Sequence, residues 1–292
     1  MADTVRMTFS TPPTLGAGYR RALFSRKPGL RAGQVLGGFE ASCAGLSLDP
    51  AKVAAYREVC GFAKGDDVPL TFPHILAAPL HMAVLTCPQF PIPAMGIIHG
   101  RNSIVQHRAL KAGESLDFVV KVDGSRDVRN GYEFDVVTLA SSGSELAWES
   151  VTTVFVRRKA PEGAPKTPRE KPADPVPMAE TKPWAVPHDQ GRRYAKVSGD
   201  YNPIHLWPIT ARLLGGFPRP IAHGMWSLAR CVAELEGRAP APVARLDVEF
   251  KRPVLLPAKA VFGATPDGDG FAYDLRDKEG KKQYLSGTWT LK

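Results

Sequence analysis

The chain has 292 residues, 43% hydrophobic and 23% charged, which is room for about two domains and a balance that excludes wholesale disorder. Its net charge of +9 suits a basic surface or a polyanionic ligand, yet no Lys/Arg run with interleaved aromatics, zinc spacing or RNP pattern points to nucleic acid. No run approaches the ~20 apolar residues of a membrane span, no secretory h-region opens the chain, and four scattered cysteines (Cys43, Cys60, Cys87, Cys231) without C-x-x-C suit a reducing compartment, so a cytoplasmic location is expected.

In chain order, residues 73–86 are apolar and of helical length, with Pro73 suited to a helix start. Strand-like runs follow at 96–107, 115–123, 131–140 and 145–157, rich in β-branched and aromatic residues, with a hairpin-type turn at Arg129-Asn130-Gly131. Residues 157–183 are dominated by proline, alanine and charge and read as an extended linker. A second apolar helix is expected over 221–236, started by Pro220 and stopped by Gly237. Four more strand-like runs then occupy 243–251, 257–265, 270–276 and 283–291, with a turn at Asp267–Gly270. A long helix followed by a four-strand meander implies an α+β domain, an antiparallel sheet wrapped on the helix. The expected division is 1–156, a linker at 157–183, and 184–292.

The two halves resemble each other. Ala55–Gly61 aligns with Arg193–Gly199 at an offset of 138 residues, Phe72-Pro73 with Phe217-Pro218 at 145, and Gln106–Leu110 with Phe250–Val254 at 144. Three matches in one order suggest a duplicated domain.

The candidate chemistry lies in residues 194–205, Tyr-Ala-Lys-Val-Ser-Gly-Asp-Tyr-Asn-Pro-Ile-His, followed by Pro220-Ile221-Ala222-His223-Gly224-Met225. Asn202-Pro203 favours a bend that brings Asp200 and His205 to one side. Each residue alone reads equally as a turn former or a core-edge polar group. Together, a carboxylate and an imidazole can hold one water and share its proton. No metal, nicotinamide or flavin is implied, because there is no ligand cluster and no glycine-rich fingerprint after a strand.

With Ala211 and Gly216-Phe217 between them, these segments resemble the MaoC-type (R)-specific enoyl-thioester hydratases (hydratase 2), whose motif has the form Y-A-x-x-S-G-D-x-N-P-I-H…A…G-F…P-I-A-H-G-M. The resemblance is sharpest over 190–260. It implies a tandem hotdog fold, in which the two hotdogs form an intrachain pseudo-dimer and a homodimer stays open. It implies reversible addition of water to trans-2-enoyl thioesters of coenzyme A or acyl carrier protein, giving (R)-3-hydroxyacyl thioesters. Asp200 and His205 become the proton-transfer pair, the Gly224 N–H the donor to the thioester oxygen, and Asn202, Ser198 and His223 the supporting residues. Arg219, Lys251 and Arg252 would meet the phosphates of the substrate arm, with solvated strand ends as the alternative. Trp207 departs from the acidic or small polar residue common two positions after the motif histidine, and would alter the pocket edge or pack at the domain interface. Gly215-Gly216 carries an extra glycine that would loosen its loop. In the first half Phe62 and Asp67 align with Asp200 and His205, so one active site per chain is expected. An acyl-thioesterase on the same fold and a non-catalytic acyl-binding subunit are the rival functions.

Overall fold

The computed structural model describes residues 3–158, 175–238 and 244–291. The first half runs β1 (Val5–Phe9), α1 (Leu15–Phe24), β2 (Phe39–Ser47), α2 (Pro50–Cys60), α3 (Pro73–Thr86), β3 (Ile98–Gln106), β4 (Ser115–Val122), β5 (Arg126–Val128), β6 (Gly131–Ser142) and β7 (Glu145–Arg157). The second runs β8 (Glu180–Val186), α4 (Gln190–Ser198), a 3-10 turn (Pro203–His205), α5 (Pro208–Gly215), α6 (Gly224–Leu235), β9 (Ala244–Phe250), β10 (Ala258–Asp267), β11 (Gly270–Asp277) and β12 (Gln283–Leu291).

The twelve strands among the described residues belong to one sheet, ordered β1-β2-β4-β6-β7-β3-β9-β12-β11-β10-β8, with β5 hung on β6. From β2 to β3 and from β8 to β9 the order is the same list read from opposite ends. The two halves are therefore related by a pseudo-twofold at the antiparallel β3–β9 seam. Ser103 pairs with Asp247 there, a separation that equals the 144-residue offset seen in the sequence. Each half wraps its strands around one central helix, α3 or α6, which is the tandem hotdog expected from the sequence. Ile75, Leu80 and Val84 of α3, and Met225, Leu228, Val232 and Leu235 of α6, are buried in one continuous core. Completely burying an aliphatic side chain such as Leu80 or Leu228 contributes about 1.5–3 kcal/mol.

The repeat meets itself at α2 and α4. Tyr56 and Tyr194, paired by the 138-residue offset, pack against each other with ring centroids 6.1 Å apart. Both helices end on left-handed glycines, Gly61 (φ 79°) and Gly199 (φ 76°), a conformation that glycine adopts without a Cβ penalty. The 145-residue match is different: Pro73 opens α3, whereas Phe217-Pro218 lies after α5 and ahead of α6.

The eight strands expected from the sequence fall where they were placed, within about three residues. The second central helix starts later than Pro220 suggests. Ile221 bridges to Leu255, and the Ala222 amide donates to the Val254 carbonyl at 2.9 Å, so the chain stays extended until His223. β8 begins at Glu180, inside the segment read as a linker; residues 159–174 of that segment lie outside the described residues. No helix among the described residues is long and apolar enough to cross a membrane.

Candidate active site

The site grows from the C-terminus of α4. The Ser198 hydroxyl donates back to the Tyr194 carbonyl (2.8 Å) and accepts the Asp200 amide (3.1 Å), so the chain turns sharply through Gly199. Oδ1 of Asp200 accepts the Asn202 amide at 3.0 Å, an Asx turn that fixes the carboxylate relative to its own backbone. Asn202 Oδ1 then caps the 3-10 turn through the Ile204 amide at 3.4 Å. These local bonds close the five-residue gap, and Asp200 and His205 come together as expected.

His205 is oriented by the segment before α6. Its Nδ1 lies 2.8 Å from the Ile221 carbonyl, which can only accept, so Nδ1 carries the proton. Nε2 of the neutral ring is therefore a bare lone pair, and it has no protein partner among the described residues. This explains why Pro220–Ala222 stays extended: its carbonyl is used on the imidazole. Gly191 permits the arrangement, since a Cβ there would lie 1.9 Å from the His205 carbonyl oxygen.

His223 backs the pair. Its Nε2 donates to the Asp200 carbonyl at 3.0 Å and lies 3.7 Å from Oδ2, while its ring stacks on His205 with centroids 3.7 Å apart. Tyr194 also packs against His223, with ring centroids 4.9 Å apart. His205 is 8% exposed and His223 3%, but the Asp200 side chain keeps 36% exposure although protein surrounds it. The carboxylate therefore faces an opening, not a sealed core.

Burial pushes the His205 imidazole down to about 3, with His223 adding to the effect and Asp200 and the Ile221 carbonyl opposing it. Burial likewise lowers His223. Burial alone would raise the Asp200 carboxyl, but His223, His205, the Tyr19 hydroxyl and the Asn202 amide together hold it below the usual carboxylate range. The hydrogen bonds are the contribution that persists once both imidazoles are neutral. At neutral pH the site thus presents an ionised carboxylate beside an uncharged imidazole.

One donor atom each from Asp200, His205 and His223 lie within 4.8 Å of one another, so these are the described residues that could hold a metal ion. The same span is bridged by two hydrogen bonds to one water, each about 2.7–3 Å long. Gly224 opens α6, where backbone amides lack helical partners. A Cβ at Gly224 would sit 3.2 Å from the Phe250 ring, so its bareness serves close packing.

The three residues expected to meet the substrate phosphates are exposed. Lys251 is held by Gln283 (2.9 Å) and Glu249 (3.7 Å), Arg219 is exposed with Nη1 3.5 Å from the Pro257 carbonyl, and Arg252 is an exposed residue at the end of β9. Trp207 is half-exposed; it precedes α5 and carries the Arg192 guanidinium 4.2 Å above its ring. Gly215 closes α5, and a Cβ there would press on Ile204 and Phe217 at 2.8 Å.

Sequence reasoning missed several contributors. Tyr19 on α1 donates its hydroxyl to Oδ1 of Asp200. His74, at the start of α3, is close enough to feel the charge of Asp200, and burial pushes it down to about 4. His81 and His99 cluster with it, their centroids 5.3 and 6.0 Å away, and burial lowers both, His99 to about 3. No local pattern marked these residues, because tertiary approach alone brings Tyr19 and His74 to the second half's loop.

A family model described as the MaoC like domain matches residues 159–283. The chain is 41% identical over 249 residues to 3-hydroxyacyl-thioester dehydratase X of Mycobacterium tuberculosis, an overlap of 85% of this chain and 86% of that protein. The chain belongs to the MaoC-like dehydratase family. The crystal structure of HtdX from M. tuberculosis superposes on this MaoC-like chain with a TM-score of 0.74 at 36% identity, over 87% of this chain and 100% of that one. An M. tuberculosis protein described as having a double hotdog fold matches with a TM-score of 0.56 at 12% identity, over 90% and 96% of the two chains, a likeness of fold alone.

Proposed function

We propose that this MaoC-like chain catalyses reversible hydration of trans-2-enoyl thioesters to (R)-3-hydroxyacyl thioesters, at one site per chain. The observation that carries the reading is the convergence of the Asp200 carboxylate and the bare Nε2 of His205 on one opening. A water held there donates to both. As its oxygen bonds to Cβ, one O–H bond breaks and the proton passes to Nε2, whose lone pair is uncommitted. The Cα–Cβ π electrons move onto the thioester oxygen as an enolate, which the Gly224 N–H and the N-terminal end of α6 stabilise. The enolate collapses and takes the proton from Nε2 at Cα. One water is consumed, no co-reactant is needed, and hydroxyl and hydrogen arrive on the same face.

The thioester would be carried by coenzyme A or acyl carrier protein, which share the phosphopantetheine arm. A cytoplasmic setting fits the four free, buried cysteines. Asn202, Ser198 and His223 act through the geometry of Asp200. The test is an assay over a series of trans-2-enoyl-CoA chain lengths. Loss of enoyl absorbance without thiol release is the expected result. Thiol release would identify a thioesterase, and binding without either change a non-catalytic acyl-binding subunit.

A further inference from the structure

Helix α1 belongs to the first half, yet its Tyr19 hydroxyl reaches Asp200, 181 residues away in sequence. The helix is seated firmly. Thr14 caps it through the Ala17 amide at 3.4 Å, and a Cβ at Gly18 would lie 3.0 Å from the Met82 Cβ, so a bare residue lets α1 settle against α3. Leu15 packs against Gly199, at the turn that launches Asp200. Arg21 Nε donates to Thr86 Oγ1 at 3.2 Å, and just beyond the helix Lys27 donates to the Phe90 carbonyl at 2.6 Å. The element that presents Tyr19 is thus fixed at both ends, as a rigid support for a reacting group has to be.

The phenol can only donate here. Burial, and then the charge of Asp200, push its ionisation far above the ordinary tyrosine value. Oδ1 of Asp200 consequently has two donors, the Tyr19 hydroxyl from the first half and the Asn202 amide from its own turn. Oδ2 is left facing the two imidazoles, 3.7 Å from His223 Nε2. A carboxylate anchored through one oxygen keeps its plane and its charge while the other oxygen remains available to water.

We infer that Tyr19 is a positioning residue for the hydration reaction, holding Asp200 ionised and oriented from across the seam between the hotdogs. The second hotdog's pair is therefore completed by a helix of the first, and α1 is part of the active site. This rests on the hydratase reading above.

The test uses the full chain with Tyr19→Phe, which keeps the ring and removes only the donor. Losing a hydrogen bond to a charged group lowers kcat roughly ten- to hundredfold, with little change in KM. The Asp200 carboxyl also rises. Because the ionised form is required, the acid-side fall of kcat/KM moves to higher pH than the onset of acid unfolding followed on the same samples, whereas a purely structural loss would move the two together. The melting temperature at neutral pH, measured alongside, is expected to stay within a few degrees of the parent's. Wild-type kcat and an unmoved acid limb in Tyr19→Phe would overturn the inference, as would a rate loss without any limb shift. Asp200→Asn, assayed in parallel, separates the two claims. If it hydrates at the parent rate, the catalytic reading itself is wrong; if it is impaired while Tyr19→Phe is not, only the role of Tyr19 falls.

Discussion

The loops after α2 and α4 leave equivalent helices through equivalent left-handed glycines and then diverge. After Gly199 the chain presents Asp200 to an opening and returns His205 beside it. After Gly61 the first side chain is Phe62, 7% exposed and stacked on Tyr56, with the Arg57 guanidinium 5.6 Å above its ring. Arg57 donates to the Ala63 carbonyl at 2.6 Å and the Asp67 carbonyl at 2.7 Å, and pairs with Glu236 at 3.1 Å. Asp67 turns outward to Lys111. One loop keeps its polar groups by tying them to backbone and leaving one face open; the other is filled by an aromatic ring braced by a buried arginine. The comparison teaches that the hotdog needs something in this position but does not need a carboxylate–imidazole pair.

The largest effect should come from the pair itself. Asp200→Asn or His205→Ala is expected to lower kcat by about 10²–10⁴, the usual loss for a general acid/base group, while Phe62→Leu leaves hydration within a few-fold. A comparable loss from Phe62→Leu at unchanged melting temperature would erase the distinction between the halves.

Next comes Gly191→Ala. Its Cβ would collide with the His205 carbonyl, so the loop must move while every chemical group remains. A misplacement of ~1 Å costs on the order of 10²-fold in rate, and the overpacking about 1–3 kcal/mol in stability. Steady-state kinetics with a denaturant midpoint would check both, and an unimpaired enzyme would show that the loop is less constrained than its contacts imply.

Acidity should act through stability before it acts through the base. His205, His223, His74, His81 and His99 all have folded-state values below 6.5. Below pH 6.5 the unfolded chain takes up protons that the native chain refuses. Stability therefore falls as pH drops from 6.5 towards about 4, by up to about 1.4 kcal/mol per pH unit for each such histidine. The midpoint for unfolding should fall steeply over that interval, and kcat/KM should stay level until unfolding begins, with no limb near 6.5. A rate that titrates near 6.5 in a fully folded protein would mean that His205 is not held neutral by burial.

The smallest effect belongs to Asp67→Asn. It removes an exposed ion pair with Lys111 and should leave kcat and the melting temperature unchanged, since such surface pairs contribute little. An altered kcat would place the first half's loop in the chemistry after all.

How much of this was legible in the sequence depends on whether the cause was local. The strands of both meanders were, because alternating β-branched and aromatic residues declare a half-buried strand. β8 was not: Pro183 and its charged neighbours argue against a strand, and only its place at the sheet's edge, against β10, makes the proline tolerable. The start of α6 misled because Pro220 suits a first helical turn, whereas the Ile221 carbonyl is needed on His205. Asp200 and His205 could be read as a pair because Asn202-Pro203 closes the gap by local hydrogen bonds. Tyr19 and Gly191 could not, since each matters through an approach that only the folded chain makes.

The central claim is that one water, clasped by Asp200 and His205, is added across the double bond from a single face. The direct measurement is NMR of the product formed from a trans-2-enoyl-CoA in D2O. The (3R)-3-hydroxyacyl-CoA should carry one deuterium at Cα, syn to the new hydroxyl. An anti arrangement, a 3S product or free thiol would contradict it.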